Sequence, residues 1–582
     1  MKTNDVNLTD LMNDIDRGKI QLPDFQRSWI WDKNQVRYLI ASVLNHDPIG
    51  ALMFWEYGNN DIFNYRTIEG APSNELVVPK KLILDGQQRL TSIYRAFFRQ
   101  SPVIEKNSKG VETPYRYFVD LEKVSEEPDD LFQAIKFLPV KNPKTGLSVD
   151  KNQYKKKMFP LNIILNDERT ETWFEEYIKY HEKKSQPSDA RIGRNFKTSI
   201  ALKISKYTIP VIELDEYTRL EAVCRMFENI NKTGEPLDVF DLLTAKFAKK
   251  QGNLREDWNK IKTNSHFDKN GVLGDVKGTD FLIACTLFNA YNKNKVNADL
   301  KIKCNKSDVL KLNFDEYKEC RDKITDAFVE AENFLRDERI FRNKDLPYTT
   351  QLIPMAVMFA IIKDTAFYDN DAKKKIRQWY WCGVFGEVYN NAANSARFVK
   401  DVTEVMNWIN GGDVPKIVQE IEFNPARLLL TQGAVYNGVL ALILQNDCKD
   451  FTTCTNMGNA LFTDKTIDFS NIFPPDFLSK DKSDKKKLDC AINKTLLTSR
   501  SNGIMGGDAP SKYLKGINLD EETLTAVLKS NWIDIDDLRK DNFDAFLVHR
   551  AKKILDVIEK ICGKKFGRAD VEVINKFGQS LE

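Results

Sequence analysis

Histidine is the scarcest chemically versatile residue in this sequence: 582 residues contain four, at positions 46, 181, 266 and 549. This scarcity nearly excludes any mechanism that needs a histidine cluster. The nine cysteines include no Cys-x-x-Cys pair, which excludes ribbon-type zinc sites and a disulfide framework and indicates a reducing compartment. No run of about eighteen apolar residues is present, so no membrane span is expected. The N-terminus, MKTNDVNLTDLMNDIDRG, is polar and acidic, unlike a signal peptide, and we expect a cytoplasmic protein.

The net charge is also small: the sequence has 87 lysines and arginines and 84 aspartates and glutamates, which gives a formal net charge of +3. A nucleic-acid surface must therefore come from local clustering of basic residues rather than from the global field. Hydrophobic residues make up 42% and charged residues 29%, values typical of a globular protein with true cores. The length suggests roughly three or four domains' worth of chain.

The hydrophobic pattern predicts a mixed α+β protein in three parts: residues 1–215, a helical portion at 216–445, and a third domain at 446–582. The elements that we predict in the first part are helices at 5–17, 33–45 and 167–184 and strands at 51–55, 82–84 and 207–214. No internal repeat, heptad run or long low-complexity linker is present.

The segment KKLILDGQQRLTSIYRAFF is the clearest local unit, predicted as a short strand, an Asp85-Gly86 turn and a helix from Leu90. A carboxylate at the end of a strand can hold a divalent metal ion, and Gly86 permits close approach of a ligand to the backbone. The other donors that a metal–triphosphate site needs follow directly: amides at Gln87 and Gln88, a guanidinium at Arg89, and Thr91 in the first helical turn. The alternative is an ordinary turn in which the aspartate caps the helix and the arginine pairs with a surface acid. Spacing alone favours that alternative.

Two further segments admit both a binding and a structural interpretation. Gln26 and Arg27 precede Trp29 and Trp31; they could converge on the same anion, or the rings could be core packing and the arginine a surface residue. Residues 227–247, FENINKTGEPLDVFDLLTAKF, place Asn229 and Asn231 before a helix capped near Asp238. The alternative there is a plain capped connection between two helices.

Taken together, IQLPDFQRSWIW, DPIGALMFWE, LILDGQQRLTSIYRAF and FENINKTGEPLDVFDLLTAKF resemble, in the same order, the N-terminal domain of the GmrSD-type restriction family, also called domain of unknown function 262. The resemblance extends over residues 1–250 and implies a ParB/sulfiredoxin-like α+β fold. It also implies that DGQQR is the centre of a nucleoside triphosphatase that uses Mg²⁺. The nucleotide and metal residues implied are Asp85, Gln87, Gln88 and Arg89, with Gln26, Arg27, Gly86, Thr91 and Asn231 as further nucleotide-binding residues. On this interpretation Arg89→Ala abolishes nucleotide handling with little loss of folding.

The C-terminal part, TIDFSNIFPPDFL and CAINKTLLTSRSNGIMGGDAPSKYL, resembles the HNH-like (ββα-metal) nuclease domain of the same family, with one departure. Family nucleases carry one or two histidines directly before Ile-Phe-Pro, where this chain has Ser470 and Asn471. An HNH site needs an imidazole to take a proton from the attacking water. Asp468 and Asn502 remain as metal-binding candidates, but the base is missing, and His549 is expected to be a surface or interhelical residue. We therefore expect a degenerate nuclease centre.

The resemblance implies a protein of bacterial defence, similar to type IV restriction enzymes, that senses foreign or modified DNA under nucleotide control. Its expected partners are DNA and a nucleoside triphosphate, with a homo-oligomer or a separate nuclease left open. One alternative is a non-catalytic nucleotide- and DNA-binding module that recruits another nuclease; another is an active nuclease with an unrecognised site. The sequence does not reveal which nucleotide or which DNA modification is recognised. A last cluster, KKKIRQWYWCGVF at 373–385, could stack bases, but its rings fit a helical core better.

Overall fold

The computed structural model divides the chain into two compact units, 1–252 and 253–582. The residues it describes are 2–26, 28–57, 63–73, 77–106, 112–128, 130–140, 150–219, 222–223, 226, 238–249, 252–263, 265–365, 370–390, 395–464, 467–478 and 485–582. The predicted three-part division stays a prediction. Within the described residues every cysteine is free, and none of the described helices is both long and apolar enough to cross a membrane.

The N-terminal unit mixes strands and helices. Its strands are β1 (Lys2–Asn7), β2 (Ile20–Pro23), β3 (Leu52–Glu56), β4 (Tyr65–Arg66), β5 (Lys81–Asp85), β6 (Val103–Lys106), β7 (Glu112–Asp120), β8 (Ile135–Pro139), β9 (Met158–Pro160) and β10 (Thr208–Leu214). Its α-helices are α1 (Leu8–Asp16), α2 (Lys33–Leu44), α3 (Gln87–Ile93), α4 (Leu121–Glu126), α5 (Leu131–Ala134), α6 (Asp150–Lys155), α7 (Asp167–Lys183), α8 (Pro187–Phe196), α9 (Leu202–Ile204) and α10 (Val239–Ala248). A π-helical turn, Tyr94–Phe98, directly continues α3.

Two sheets organise this unit. The larger has the order β1–β10–β3–β5–β2–β4, in which β10 pairs with β3 and β5 with β2 in parallel, and the other pairs are antiparallel. The smaller sheet is antiparallel, with β7 paired to β6, β8 and β9. Because β5 lies inside the larger sheet, its carboxyl end and the helix that follows are positioned by partners on both sides.

The local sequence explains most of these elements, and the mixed α+β class is confirmed. Asp32 caps α2 with a reciprocal capping box through Gln35, so the helix predicted at 33–45 is found at 33–44. The helix predicted at 5–17 begins later, at Leu8, because Lys2–Asn7 pairs as an edge strand with β10. Asn7 caps α1 by accepting a hydrogen bond from the Thr9 amide at 2.8 Å.

The C-terminal unit is mainly helical. Its α-helices are α11 (Leu254–Lys262), α12 (Gly278–Val296), α13 (Lys306–Val309), α14 (Phe314–Asp337), α15 (Leu352–Thr365), α16 (Asn370–Phe385), α17 (Ser395–Ile409), α18 (Lys416–Gln419), α19 (Ala434–Gln445), α20 (Met457–Thr463), α21 (Pro475–Leu478), α22 (Lys485–Leu488), α23 (Ser499–Met505), α24 (Pro510–Tyr513), α25 (Glu521–Ser530), α26 (Ile535–Arg539), α27 (Phe543–Cys562) and α28 (Val571–Phe577). Its strands β11 (Phe469–Asn471) and β12 (Lys494–Leu496) form a two-stranded antiparallel sheet.

The helical pattern predicted for the middle of the chain is found in this unit, from α11 to α19. Trp379 and Trp381 of α16 are wholly buried, as the core interpretation of that cluster predicts. The indole of Trp381 donates a hydrogen bond to Glu338 Oε2 at 2.9 Å, which satisfies its one polar atom. Helix α19 contacts α16, α27 and β12, so residues on both sides of position 445 share one core.

A buried carboxylate, Asp450, ties the loop after α19 to the start of α23. Its oxygens accept hydrogen bonds from the Ser501 hydroxyl at 2.6 Å and the backbone amides of Thr498 at 2.7 Å, Thr453 at 2.9 Å and Thr452 at 3.1 Å. Burial opposes ionisation, but these donors outweigh it and hold the pKa of Asp450 well below its usual value. The charged form is therefore favoured by folding.

We expect Asp450 to make the protein sensitive to acid. A carboxyl whose pKa is depressed in the folded state stabilises above its unfolded pKa of about 3.9 and loses that contribution as pH falls further. The free energy of unfolding should fall below about pH 4, by up to about 1.4 kcal/mol per pH unit from this group. Asp450→Asn should lower stability at pH 7 and flatten that acid slope in urea titrations. Ser501→Ala should have a smaller effect on both quantities. If Asp450→Asn left the acid slope of the unfolding free energy unchanged, Asp450 would not be the cause of the acid sensitivity.

Candidate functional site

The predicted strand, turn and helix of DGQQR are present at the carboxyl end of β5, with one correction. The helix begins at Gln87, not at Leu90, because Gly86 adopts a left-handed conformation (φ +96°) and turns the chain straight into α3. Gln87, Gln88 and Arg89 therefore form the first turn, whose backbone N–H groups have no partner within the helix. No side chain caps this end of α3.

Gly86 is required by both conformation and space. A Cβ atom built at this position would lie 2.2 Å from Leu52 Cδ2 on the neighbouring strand β3. The positive φ is also one that other residues adopt only with strain. Because Gly86 has no side chain, the backbone of the turn is accessible at the end of β5. Close approach of a ligand to it stays a prediction.

Arg89 braces the turn from within the protein. Its guanidinium donates to the carbonyl of Ile49 at 2.7 Å, to that of Ala51 at 3.0 Å, and to Asp85 Oδ2 at 2.9 Å. Its side chain is only 18% exposed. Among the described residues only the Nε–H and one Nη1–H take no part in these bonds. Most of the guanidinium therefore faces protein acceptors, and the role of its remaining donors toward phosphate stays a prediction.

These contacts change the expected effect of Arg89→Ala. Removal of the guanidinium leaves two carbonyls and one carboxylate without their donor, and each unsatisfied buried group costs about 1–3 kcal/mol. We therefore expect this variant to lose thermal stability as well as activity, unlike Arg191→Ala, which changes an exposed residue of α8. Thermal unfolding of the two variants compares them directly; equal melting temperatures would show that Arg89 is not a brace.

Asp85 is the group best placed to hold a metal ion. It ends β5 with a side chain 27% exposed, and Arg89 engages Oδ2; within the described residues Oδ1 accepts no hydrogen bond. Mg²⁺ is commonly held by one or two carboxylates together with substrate phosphates and water, so a single oriented aspartate fits it. No group of three or more His, Cys, Asp or Glu side chains suited to a metal ion occurs in the described parts of the chain.

The two glutamines of the motif differ in environment. Gln87 is buried, 8% exposed. Gln88 is bound to the segment before α2: its Oε1 accepts from the Ile30 amide at 2.9 Å, and its Nε2 donates to the Ser28 carbonyl at 3.3 Å. Thr91 was placed in the first turn by the sequence interpretation, but it is the fifth residue of α3 and fully buried.

Gln26 is also brought to this turn. Its Nε2 donates to the carbonyls of Ile83 at 2.6 Å and Leu84 at 3.1 Å, the residues directly before Asp85. Gln26 thus lies beside the turn, and its role toward a ligand stays a prediction. Arg27 and Asn231 lie outside the described residues, as does the whole segment 227–237; the helix capped by Asp238 is present as α10.

Two charged residues near this turn were not found by sequence reasoning. Glu69 Oε1 accepts hydrogen bonds from the Trp29 amide at 2.9 Å and from Arg66 Nη1 at 3.2 Å. Arg66 Nη2 donates in turn to the Gln26 carbonyl at 3.0 Å. No sequence motif marks Glu69 and Arg66. Their support of the segment that carries Gln26 is evident only once β4 lies beside β2 in the sheet.

The C-terminal candidate residues lie in a strand, strand, helix arrangement formed by β11, β12 and α23. Ser470 is paired with Thr495, and Asn471 with Lys494. Asn471 donates weakly to the Leu488 carbonyl at 3.3 Å. No imidazole is therefore present on β11.

The metal candidates of this region have other partners. Asp468 accepts a hydrogen bond from Lys344 at 2.9 Å and lies 3.7 Å from Arg342. Burial opposes its ionisation, but Lys344 and the Phe469 amide prevail and lower the pKa of Asp468. Asn502 is exposed on α23. His549, on α27, is held by Asp537 at 2.7 Å and is 55% exposed, which confirms it as a surface residue.

This chain is similar to a known protein over most of its length and to a family model over its N-terminal part. An uncharacterized protein of Methanocaldococcus jannaschii is 29% identical over 615 aligned positions, which cover 95% of this chain and 98% of that protein. Residues 8–248, which lie within the N-terminal unit and include β5, its turn and α3, match the family model described as the GmrSD restriction endonuclease, N-terminal domain.

Proposed function

We propose that this protein is a restriction-type DNA-defence protein whose N-terminal unit hydrolyses a nucleoside triphosphate and whose HNH-like centre is inactive. The observation that carries the proposal is the turn after β5, where Asp85, the N-terminus of α3 and the Arg89 guanidinium meet in one segment. The match of residues 8–248 to a restriction endonuclease domain supports the defence role. A ParB-like fold for the N-terminal unit and an HNH-like fold for the C-terminal region are part of this proposal.

The turn has the parts needed to bind phosphates. The positive end of the helix dipole at the start of α3 favours an anion there. Asp85 would hold Mg²⁺, which when bound neutralises phosphate charge and orients the substrate. Arg89 keeps the carboxylate oriented and supplies its remaining donors. Gln26 binds the carbonyls of Ile83 and Leu84, and its side chain would therefore lie near phosphates bound at the turn.

Loss of the nuclease base supports the second half of the proposal. An imidazole accepts a proton near neutral pH, whereas the hydroxyl of Ser470 and the amide of Asn471 do not. Asp468 forms ion pairs with Lys344 and Arg342. A cleavage step would therefore fall to a separate nuclease, with the nucleotide state of this protein as the signal.

The deciding experiment is phosphate release from ATP, GTP, CTP and UTP with Mg²⁺, with and without DNA. Release that DNA stimulates would support a hydrolysing sensor. Nucleotide binding without release would overturn hydrolysis and favour the non-catalytic module that recruits a nuclease. Metal-dependent nicking of DNA by the unmodified chain would overturn the inactive HNH-like centre.

A further inference from the structure

A cavity of about 480 Å³ lies beside the helix that begins with the nucleotide motif. Four aromatic side chains contribute to its lining: Trp29, Trp31, Tyr117 and Phe137. Cations accompany the rings, because the Arg95 guanidinium lies 4.0 Å from the Trp29 ring centre and Lys33 Nζ 5.1 Å from that of Phe137. The volume falls within the range of small-molecule sites.

The cavity is connected to the DGQQR turn by hydrogen bonds. The Trp29 indole donates to Ser92 Oγ at 2.9 Å, and that hydroxyl donates to the Gln88 carbonyl at 2.7 Å. Ser92 and Arg95 belong to the continuous helix 87–98, so Arg95 lies about 12 Å along the axis from its start. A ligand in the cavity therefore contacts residues attached to the proposed phosphate site.

We propose that this cavity binds a nucleobase, with an aromatic ring as stacking platform and Lys33 and Arg95 as cations beside the rings. Aromatic platforms combined with basic groups are how proteins hold unpaired bases. The proposal rests on the proposed function, because the base belongs either to the bound triphosphate or to an exposed base of DNA. Both sources present the same planar ring.

Asp32 gives the cavity a means to distinguish bases. Its capping bonds, from the amides of Asn34 at 2.7 Å and Gln35 at 2.9 Å, both reach Oδ1. Within the described residues Oδ2 accepts no hydrogen bond, and Asp32 lines the cavity. An acceptor here favours a base edge with an exocyclic amino group, as in adenine and cytosine, over the carbonyl edge of thymine.

Trp31→Ala tests the stacking platform, with Tyr38→Ala as control, since Tyr38 is an exposed ring of α2 that does not line the cavity. The probes are a single-stranded oligodeoxyadenylate, an abasic strand of equal length, ATP and inorganic tripolyphosphate. Loss of a stacked base should weaken binding on the order of ten-fold. We expect Trp31→Ala to bind the oligodeoxyadenylate, ATP or both more weakly than the unmodified protein does. Its binding of the abasic strand and of tripolyphosphate should be unchanged, and Tyr38→Ala should bind all four probes as the unmodified protein does.

The pattern across probes identifies the source of the base: loss with ATP alone points to the triphosphate, and loss with the oligonucleotide points to DNA. No binding of any base-bearing probe, or equal binding by Trp31→Ala and the unmodified protein, would overturn the proposal. These are binding measurements, so they stay informative even if phosphate release, and with it the proposed hydrolysis, fails.

Asp32→Asn provides a second test that removes no ring. Asparagine caps helices about as well as aspartate, so α2 should persist. The amide places a donor where the carboxylate offered an acceptor, and the ratio of oligodeoxyadenylate to oligothymidylate affinity should fall on the order of ten-fold. An unchanged ratio would show that Asp32 does not face a base in the cavity.

Discussion

Asp85→Asn is expected to lower magnesium-dependent phosphate release by at least about 100-fold, the scale on which loss of one electrostatic group slows catalysis. Asparagine has nearly the shape of aspartate but no charge with which to hold Mg²⁺. Its side-chain oxygen can still accept the hydrogen bond from Arg89 Nη2, so the contacts to Ile49 and Ala51 should persist. The substitution therefore separates chemistry from folding.

The stability of Asp85→Asn should change by less than about 1 kcal/mol, because partly exposed ion pairs contribute little. Asp24→Asn is a matched control, since Asp24 is an exposed carboxylate in the neighbouring segment 24–31. Phosphate release across a Mg²⁺ titration, together with urea unfolding, measures both quantities. If release by Asp85→Asn matched that by Asp24→Asn, the metal would be held elsewhere.

The largest loss of stability is expected from Arg550→Ala, at about 3–5 kcal/mol. Arg550 of α27 is 1% exposed and donates to the carbonyls of Ile492, Lys494 and Asn531. Burial lowers the pKa of Arg550 to about 9, which still leaves it charged at neutral pH. Alanine would leave these carbonyls without their donor and a cavity where the side chain had been.

Two further variants identify the cause of that loss. Arg550→Met restores much of the volume but cannot donate, so it should remain destabilised by the unsatisfied carbonyls. Lys553→Ala changes an exposed residue of the same helix and should have little effect. These variants are compared by urea unfolding of the full-length protein. A cost below about 1 kcal/mol for Arg550→Ala would mean that water replaces the guanidinium.

Elements with strong local signals were predictable from the sequence. The helix predicted at 33–45 and the buried strand before Asp85 lie where apolar spacing indicated. The start of α1 was misjudged only by residues 5–7, which pair with β10. That pairing joins positions about 200 residues apart, which no local pattern encodes.

The candidate site was predictable in its members but not in their partners. The motif identified Asp85 and Arg89, and the family resemblance implied Gln26 as a further nucleotide-binding residue. That the Arg89 guanidinium faces the carbonyls of Ile49 and Ala51 depends on the approach of another strand. Glu69 escaped notice because its hydrogen bond to the Trp29 amide spans 40 residues and belongs to no recurrent spacing.

By itself the sequence determined the chemistry available to this protein: the DGQQR segment, the missing imidazole at Ser470 and Asn471, and helices and strands dictated by apolar periodicity. These depend on residue type and on neighbours a few positions away, which the sequence states directly. The tertiary structure decided which donors remain for a ligand, because hydrogen-bond partners come from distant strands. It also decided that Trp29, Ser92 and Gln88 join a cavity to the motif, since that contact exists only once helix 87–98 packs against the segment preceding α2.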